Sequence, residues 1–338
     1  MKISGQNNFL KLLSLFILST FVCAQSLDDM TSLYINHGKK RVIEKMISAI
    51  ELRVQGEEFW HKFIEDINTT YGYFGSKKHL IIANKTDKNV QIYAIKNRNP
   101  ILQKTLPSLY GSIGGDKQIE GDLKTPVGLY DFLAKLEKEN GKLADKYGPY
   151  AFVTSYPNLM DKLIHKKTGH GIWLHGKPST GEKLDTLGCV ALDNDELSAL
   201  AKKIDHKETI MVITQEQYAT ASKDELATLF ANLYKWRYAW QESHFEEYIS
   251  FYAPHFKRFD KKNLTQFSEY KKRIFRKKED KDIVFSKINI MPYFDGENKK
   301  IFKINFAENY QSTTYKFHGV KNLYVTLEND AMRIIVEE

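Results

Sequence analysis

The sequence predicts a mainly β middle domain with short helices, flanked by an N-terminal helical segment and a C-terminal α+β domain. Three observations carry this. Helix-spaced apolar residues fill residues 25–76, short apolar runs separated by glycine-rich turns fill 77–215, and a long helical stretch followed by alternating strands fills 216–338. At 338 residues the chain can build two modest cores, and its 42% hydrophobic and 27% charged content is that of a soluble globular protein.

The first element is a secretory signal over residues 1–24. Lys2 and Lys11 supply positive charge, Leu12 to Val22 is an apolar run of signal length, and Val22-Cys23-Ala24 places small residues before a cut at Gln25. An uncleaved anchor is the alternative; a lipoprotein cut at Cys23 fits less well, because Thr20-Phe21-Val22 offers no small residue beside the cysteine. In 25–76, Val42, Met46, Ile47, Ile50 and Leu52 form a stripe continued by Phe59, Trp60, Phe63 and Ile64. An apolar stripe needs a partner, either its own domain or a second copy of the chain, so a homodimer through this segment is expected.

In the middle domain Leu80 to Ile82 and Val90 to Ile95 read as strands joined by a turn at Asp87-Lys88-Asn89. Glycines at 111, 114, 115, 121 and 128 mark loops, His170 to His175 reads as a strand, residues 194–204 as a short helix and Ile210 to Ile213 as the last strand. In the C-terminal domain one helix is expected from about Lys223 to Tyr252, with Trp236 and Trp240 in the core. Strands follow, with Phe302, Ile304 and Phe306, then Leu323, Val325 and Leu327, then Met332, Ile334 and Val336 alternating inward. A helix laid on an antiparallel sheet accommodates this pattern.

Charge and cysteine usage narrow the function. The formal charge is +8, and loss of residues 1–24 removes Lys2 and Lys11 but no acid, so the mature chain stays basic. A basic exported chain suits peptidoglycan stems with free carboxylates, or weak electrostatic contact with wall or membrane surface; no nucleic acid partner is expected. The lysines and arginines of residues 257–281 read as a solvated basic face, with attraction to an anionic wall or membrane surface as the functional alternative. Of the two cysteines, Cys23 leaves with the signal and Cys189 remains. A lone exported thiol is either buried and inert or kept for its chemistry.

The informative stretch is His170-Gly171-Ile172-Trp173-Leu174-His175-Gly176, followed by Thr186-Leu187-Gly188-Cys189-Val190. A thiol attacks only as thiolate and needs a base, which His175 can be near neutrality. Gly188 permits a tight turn whose amides, those of Gly188 and Cys189, face a developing oxyanion, and Gly176 exposes a carbonyl able to orient the imidazole. Lys177 to Gly188 reads as a loop joining the two halves. His170, Trp173 and Thr186 are candidate substrate contacts. His165, His170 and His175 recur every five residues, but on a regular strand His170 and His175 would point to opposite faces, so neither a metal site nor any cofactor is expected.

These residues resemble the L,D-transpeptidase (YkuD) catalytic domain, with its His-Gly, a loop, and Ser/Thr-x-Gly-Cys followed by an aliphatic residue. The upstream Gly121-Asp122-Leu123-Lys124-Thr125-Pro126-Val127-Gly128-Leu129-Tyr130 is similar to a second segment of that family. The resemblance covers residues 77–215. The whole layout, with Tyr147-Gly148-Pro149-Tyr150 and Tyr156-Pro157-Asn158, is similar to the cell-shape-determining L,D-carboxypeptidases of helical Gram-negative bacteria, whose C-terminal domain resembles nuclear transport factor 2 (NTF2). The resemblance implies a YkuD-like β-sandwich, Cys189 as nucleophile, His175 as base, Gly176 as holder of the imidazole, and removal of terminal D-alanine from tetrapeptide stems in the periplasm. The sequence departs from the transpeptidase pattern at Leu187, where many members have His, and at Ala191, where many have Arg. Loss of that guanidinium fork favours trimming over ligation. A transpeptidase using the same acyl-enzyme and a non-catalytic wall-binding module are the other readings.

Overall fold

The computed structural model describes residues 6–338 apart from 142, 179–184, 217 and 295–299, and of residues 6–26 and 140 the backbone alone. Residues 1–5 of the expected signal and the middle of the 177–188 loop therefore lie outside the described residues. The chain divides at Gly56 into two units. The first is helix α1 (Gln6–Val54), broken at Gly38, whose φ of 75° is left-handed. On it Ile43, Met46, Ile47, Ile50 and Leu52 are exposed, so the apolar stripe has no cover within its own unit. Among the described residues no helix is long and apolar enough to cross a membrane.

The second unit begins at Glu57, inside the stretch read as one N-terminal segment. Helix α2 (Glu57–Phe63) and strand β1 (Tyr73–Phe74) belong to the C-terminal fold: Trp60 stacks on Phe230, and β1 pairs with residues 289–290. The β-rich domain follows as β2 (His79–Asn84), β3 (Asn89–Lys96), β4 (Asn99–Pro107), β5 (Gly128–Glu137), β6 (Tyr150–Thr154), α3 (Leu159–Leu163), β7 (Trp173–Gly176), β8 (Val190–Leu192), α4 (Asn194–Lys203) and β9 (Thr209–Thr214). Its strand order is β4-β3-β2-β9-β5-β6-β7-β8. The first half of β5 pairs with β9 and the second half, past an irregularity at Phe132–Ala134, pairs with β6. One strand thereby belongs to both halves, which close on a shared core of Ile81, Val90, Phe152, Leu174, Val190 and Leu197.

The expected strand from His170 to His175 starts only at Trp173. Gly169 and Gly171 have φ of 91° and 74°, which no extended strand accommodates, so His170 sits in a loop. The strand at Ile210 to Ile213, last in sequence, is central in space, parallel to β2.

The C-terminal fold comprises α5 (Lys223–Gln241), α6 (Phe245–Ser250), β10 (Tyr252–Arg258), α7 (Leu264–Phe275), β11 (Lys281–Tyr293), β12 (Ile301–Ser312), β13 (Lys316–Glu328) and β14 (Ala331–Glu337). The sheet order is β1-β11-β12-β13-β14-β10. Ser222 and Glu225 form a reciprocal capping box that starts α5. The single helix expected to Tyr252 breaks after Gln241, where Ser243 turns left-handed (φ 62°) and a short α6 follows. Trp236 and Trp240 are buried. The basic face of 257–281 is not uniformly solvated: Lys271 is buried with its ammonium 4.4 Å from the Trp240 ring centroid, and burial pulls its pKa down to about 8.

The two domains share a core. On β2, Ile81 and Ala83 face the β-rich domain's interior while Leu80 and Ile82 face Met291, Tyr293, Ile301 and Tyr324 of the C-terminal sheet. On β9, Met211 and Ile213 take the first face and Ile210 and Val212 the second. This explains why both strands read as continuous apolar runs instead of alternating ones. At the rim of this interface Asp131 accepts from Lys77 (2.8 Å) and Lys303 (2.7 Å). Burial by itself would raise the Asp131 pKa; the two ammoniums outweigh it and hold the carboxyl well below the usual carboxylate range.

Removing one partner leaves a buried charge uncompensated. Since the Lys303 side chain is 4% exposed, Asp131→Ala should lower stability to urea by about 3–5 kcal/mol, and adding Lys303→Met should recover much of the loss. Because the Asp131 pKa is depressed in the folded state, its contribution is fully present above about pH 4 and fades as pH falls. Urea titrations of the wild type and Asp131→Ala should therefore differ less at pH 3 than at pH 7, with the gap still narrowing as pH falls further.

Candidate active site

Strands β7 and β8 run parallel, with Leu174 opposite Val190 and His175 opposite Ala191. Leu174 and Val190 are fully buried toward the core. Alternation then sends Trp173, His175 and Ala191 to the opposite face, and Cys189, two residues before Ala191, joins them. They line a cleft of about 540 Å³, with Tyr147, Lys146 and Leu187 also on its wall. The structure thus brings Cys189 and His175 to one face of adjacent strands. His170 lies at the cleft's edge, highly exposed, 3.8 Å from Glu120.

The imidazole is fixed from behind. Nδ1 of His175 lies 2.6 Å from the carbonyl oxygen of Gly176. A carbonyl only accepts, so Nδ1 carries the proton and Nε2 keeps its lone pair; the tautomer is assigned from this bond. The Gly176–Lys177 backbone is held in turn by Asn194 at the start of α4: the Lys177 amide donates to Oδ1 (2.8 Å) and Nδ2 donates to the Lys177 carbonyl (3.1 Å). Gly176 is obligatory here, because a Cβ would lie 2.3 Å from Asn194 Oδ1. Tyr147 packs edge-on to His175 at 5.1 Å and against Trp173 at 4.7 Å, closing the ring's free side.

The nucleophile loop is braced by Thr186. Its buried hydroxyl donates to the Cys189 carbonyl (2.7 Å) and accepts from the Gly188 amide (3.1 Å). Two expectations change as a result. The Thr186 hydroxyl serves the loop, not substrate, and the Gly188 amide, expected to face the oxyanion, already has an acceptor. Gly188 has φ of 129°, and a Cβ there would stand 2.7 Å from the Lys124 carbonyl. That carbonyl belongs to the Gly121–Tyr130 segment, which Asp122 organises by accepting from the amides of Gln118, Ile119 and Lys124 and from Lys117. Burial opposes ionisation of Asp122, but these donors prevail and hold its carboxyl far below the usual range.

The thiol and imidazole are both neutral at rest. Burial raises the Cys189 pKa, opposed by the Trp173 amide, Lys117 and Lys146. Burial lowers that of His175, assisted by Lys146 and opposed by the Gly176 hydrogen bond. Cys189 Sγ accepts from the Trp173 amide at 3.4 Å and donates to the Gly171 carbonyl at 3.3 Å. Its proton therefore rests on a backbone carbonyl, and the S–H must turn about the Cβ–Sγ bond before it can be passed to His175. Such an arrangement supports general-base activation during attack, not a preformed thiolate–imidazolium pair. Among the described residues no three His, Cys, Asp or Glu side chains cluster as a metal set.

Sequence reasoning missed Asn194, Tyr147 and Lys146. Tyr147 stood in a segment noted only for its resemblance, and Asn194 looked like any polar residue at a helix start.

Both domains have counterparts among known proteins. The L,D-transpeptidase catalytic domain (YkuD) matches residues 78–213, and the Cds6 C-terminal NTF2-like domain matches residues 228–338. Crystal structures of the helical cell shape determining protein Pgp2 from Campylobacter jejuni are similar. The K307A mutant is 40% identical with a TM-score of 0.78, covering 85% of this chain and 99% of that one. The unsubstituted form is also 40% identical, with a TM-score of 0.77, covering 84% and 99%. Bd1075 from Bdellovibrio bacteriovorus is 27% identical with a TM-score of 0.64, covering 80% and 96%. No curated protein matches the chain.

A thiol whose pKa is raised by burial holds little thiolate at neutral pH. Alkylation of Cys189 by iodoacetamide, followed by intact mass, should be slow at pH 7 and still climbing through pH 9. A rate plateau reached below pH 7.5 would mean a preformed thiolate and contradict the neutral pair.

Proposed function

Since the chain belongs to the family of the helical cell shape determining protein Pgp2, an L,D-transpeptidase domain followed by an NTF2-like domain, we propose that it is an exported L,D-carboxypeptidase. It removes the terminal D-alanine from peptidoglycan tetrapeptide stems in the periplasm and so contributes to cell shape. The observation that carries this reading is the placement of Cys189 and His175 on one face of β7–β8, with the base's tautomer set by the Gly176 carbonyl.

The chemistry is two-step acyl transfer. The Cys189 thiol turns from the Gly171 carbonyl and gives its proton to Nε2 of His175. The thiolate attacks the carbonyl between the third and fourth stem residues, and the Cys189 amide faces the resulting oxyanion. Collapse breaks the C–N bond, His175 returns the proton to the departing amine, and D-alanine leaves with a thioester remaining. His175 then takes a proton from water, hydroxide adds to the thioester, and the thiolate leaves and is reprotonated. Attack by the amine of a second stem would instead give a cross-link. Leu187 and Ala191, which add no charge to the cleft, favour hydrolysis.

Purified protein incubated with disaccharide-tetrapeptide should yield tripeptide and D-alanine, with all turnover lost in Cys189→Ala. Accumulation of cross-linked dimer would establish the transpeptidase instead, and an unchanged muropeptide profile in cells carrying Cys189→Ala would leave a binding module. Asn194→Ala frees the backbone that holds the imidazole, and kcat should drop on the order of 10- to 100-fold with KM little altered. The exposed stripe on α1 supports a homodimer. Light scattering should show a dimer for the full chain and a monomer for a chain beginning at Glu57; equal subunit counts would remove the idea.

A further inference from the structure

Among the described residues three lysines line the cleft: Lys117, Lys146 and Lys177. Lys117 is bonded to Asp122 at 2.7 Å and Lys177 to Asp193 at 2.6 Å. Among the described residues Lys146 has no carboxylate partner. Its ammonium lies 4.9 Å from the centroid of the Tyr147 ring, and that ring packs on both His175 and Trp173. A cation held on an aromatic face beside a mostly apolar cleft, with no anion of its own among the described residues, is arranged for an anion that arrives with a ligand.

The position of Lys146 relative to the reacting atoms selects which anion. His175 must protonate the departing amine, so the leaving residue lies on the His175 side of the thiol. Tyr147 and Lys146 stand on that side. On the other side, around Gly171 and His170, Glu120 lies 3.8 Å from His170, and the cation of Lys117 is already bonded to Asp122. A leaving residue placed against His175 carries its α-carboxylate beyond the scissile nitrogen, toward Lys146.

We propose that Lys146, presented by Tyr147, binds the free α-carboxylate of the residue being removed and thereby restricts the site to the last residue of a stem. This rests on the carboxypeptidase reading and adds the group that makes it an exopeptidase. A neutral or extended C-terminus places no anion at Lys146 and reacts poorly.

The test compares disaccharide-tetrapeptide ending in free D-alanine with the same stem ending in D-alanine carboxamide, using the full chain. Wild type should favour the free acid. Lys146→Met should cut that preference about 10- to 100-fold, mostly through KM, as expected for loss of a charge-assisted hydrogen bond. Lys146→Arg should retain most of it. If Lys146→Met slows both substrates equally, or leaves their ratio unchanged, Lys146 acts only through the field on the thiol and imidazole and the proposal is overturned. Should wild type cleave neither stem, the carboxypeptidase reading fails by itself. Binding of the two stems to Cys189→Ala, with and without Lys146→Met, then decides the role of Lys146: tighter binding of the free acid that vanishes with Lys146→Met supports it, and equal binding throughout refutes it.

Discussion

Burial of β2 and β9 on both faces is the constraint from which the rest of the second unit follows. A strand with one wet face can belong to one domain; these strands belong to two, since each successive side chain enters a different core. The β-rich and NTF2-like parts therefore do not meet through a polar, adjustable surface of the kind that permits relative motion. The C-terminal sheet serves as the outer layer of the enzyme's own sheet. The interface closes with Asp131 between Lys77 and Lys303, and with Asn158 reaching the Leu129 carbonyl and the Tyr293 hydroxyl. β5 passes this order onward, because half of it lies in the doubly covered sheet and half pairs toward β6, β7 and the reactive edge.

At that edge, backbone groups do most of the positioning. The thiol sits between the Trp173 amide and the Gly171 carbonyl, the imidazole against the Gly176 carbonyl, and the nucleophile loop around the Thr186 hydroxyl. Main-chain partners orient without adding charge, which suits a site where burial favours neutral forms. The arrangement also protects the chemistry. A thiol kept protonated is slow to oxidise, so Cys189 can persist until substrate draws it to its base.

Much of this was legible in the residues. The two-sided strands announced themselves in Leu80-Ile81-Ile82 and Ile210 to Ile213 as unbroken apolar runs, and an inner strand of the C-terminal sheet in the alternation of Phe302, Ile304 and Phe306. Cys189 and His175 stood out because a lone thiol, a histidine and flanking glycines form a chemically coherent set. What escaped were features fixed by tertiary approach. Gly169 and Gly171 shorten the strand before Trp173, and Ser243 ends a helix whose apolar pattern runs on. The membership of Tyr73 and Phe74 in a sheet completed at the far end of the chain has no local signal either. Asn194 was invisible for the same reason: its meaning lies in the turn seventeen positions earlier that it clasps.

That pairing of Tyr73–Phe74 with Asn289–Ile290 makes the reactive domain an insertion. The polypeptide leaves the NTF2-like sheet, builds the enzyme, and returns to finish the sheet it left. During synthesis the opening strand emerges long before its neighbour exists, and closing so wide a loop is slow in proportion to its entropy. The enzyme's outer apolar face meanwhile waits uncovered, a liability for any chain folding from one end to the other. The architecture thus favours assembly from a completed chain, in which both ends of the loop are present at once.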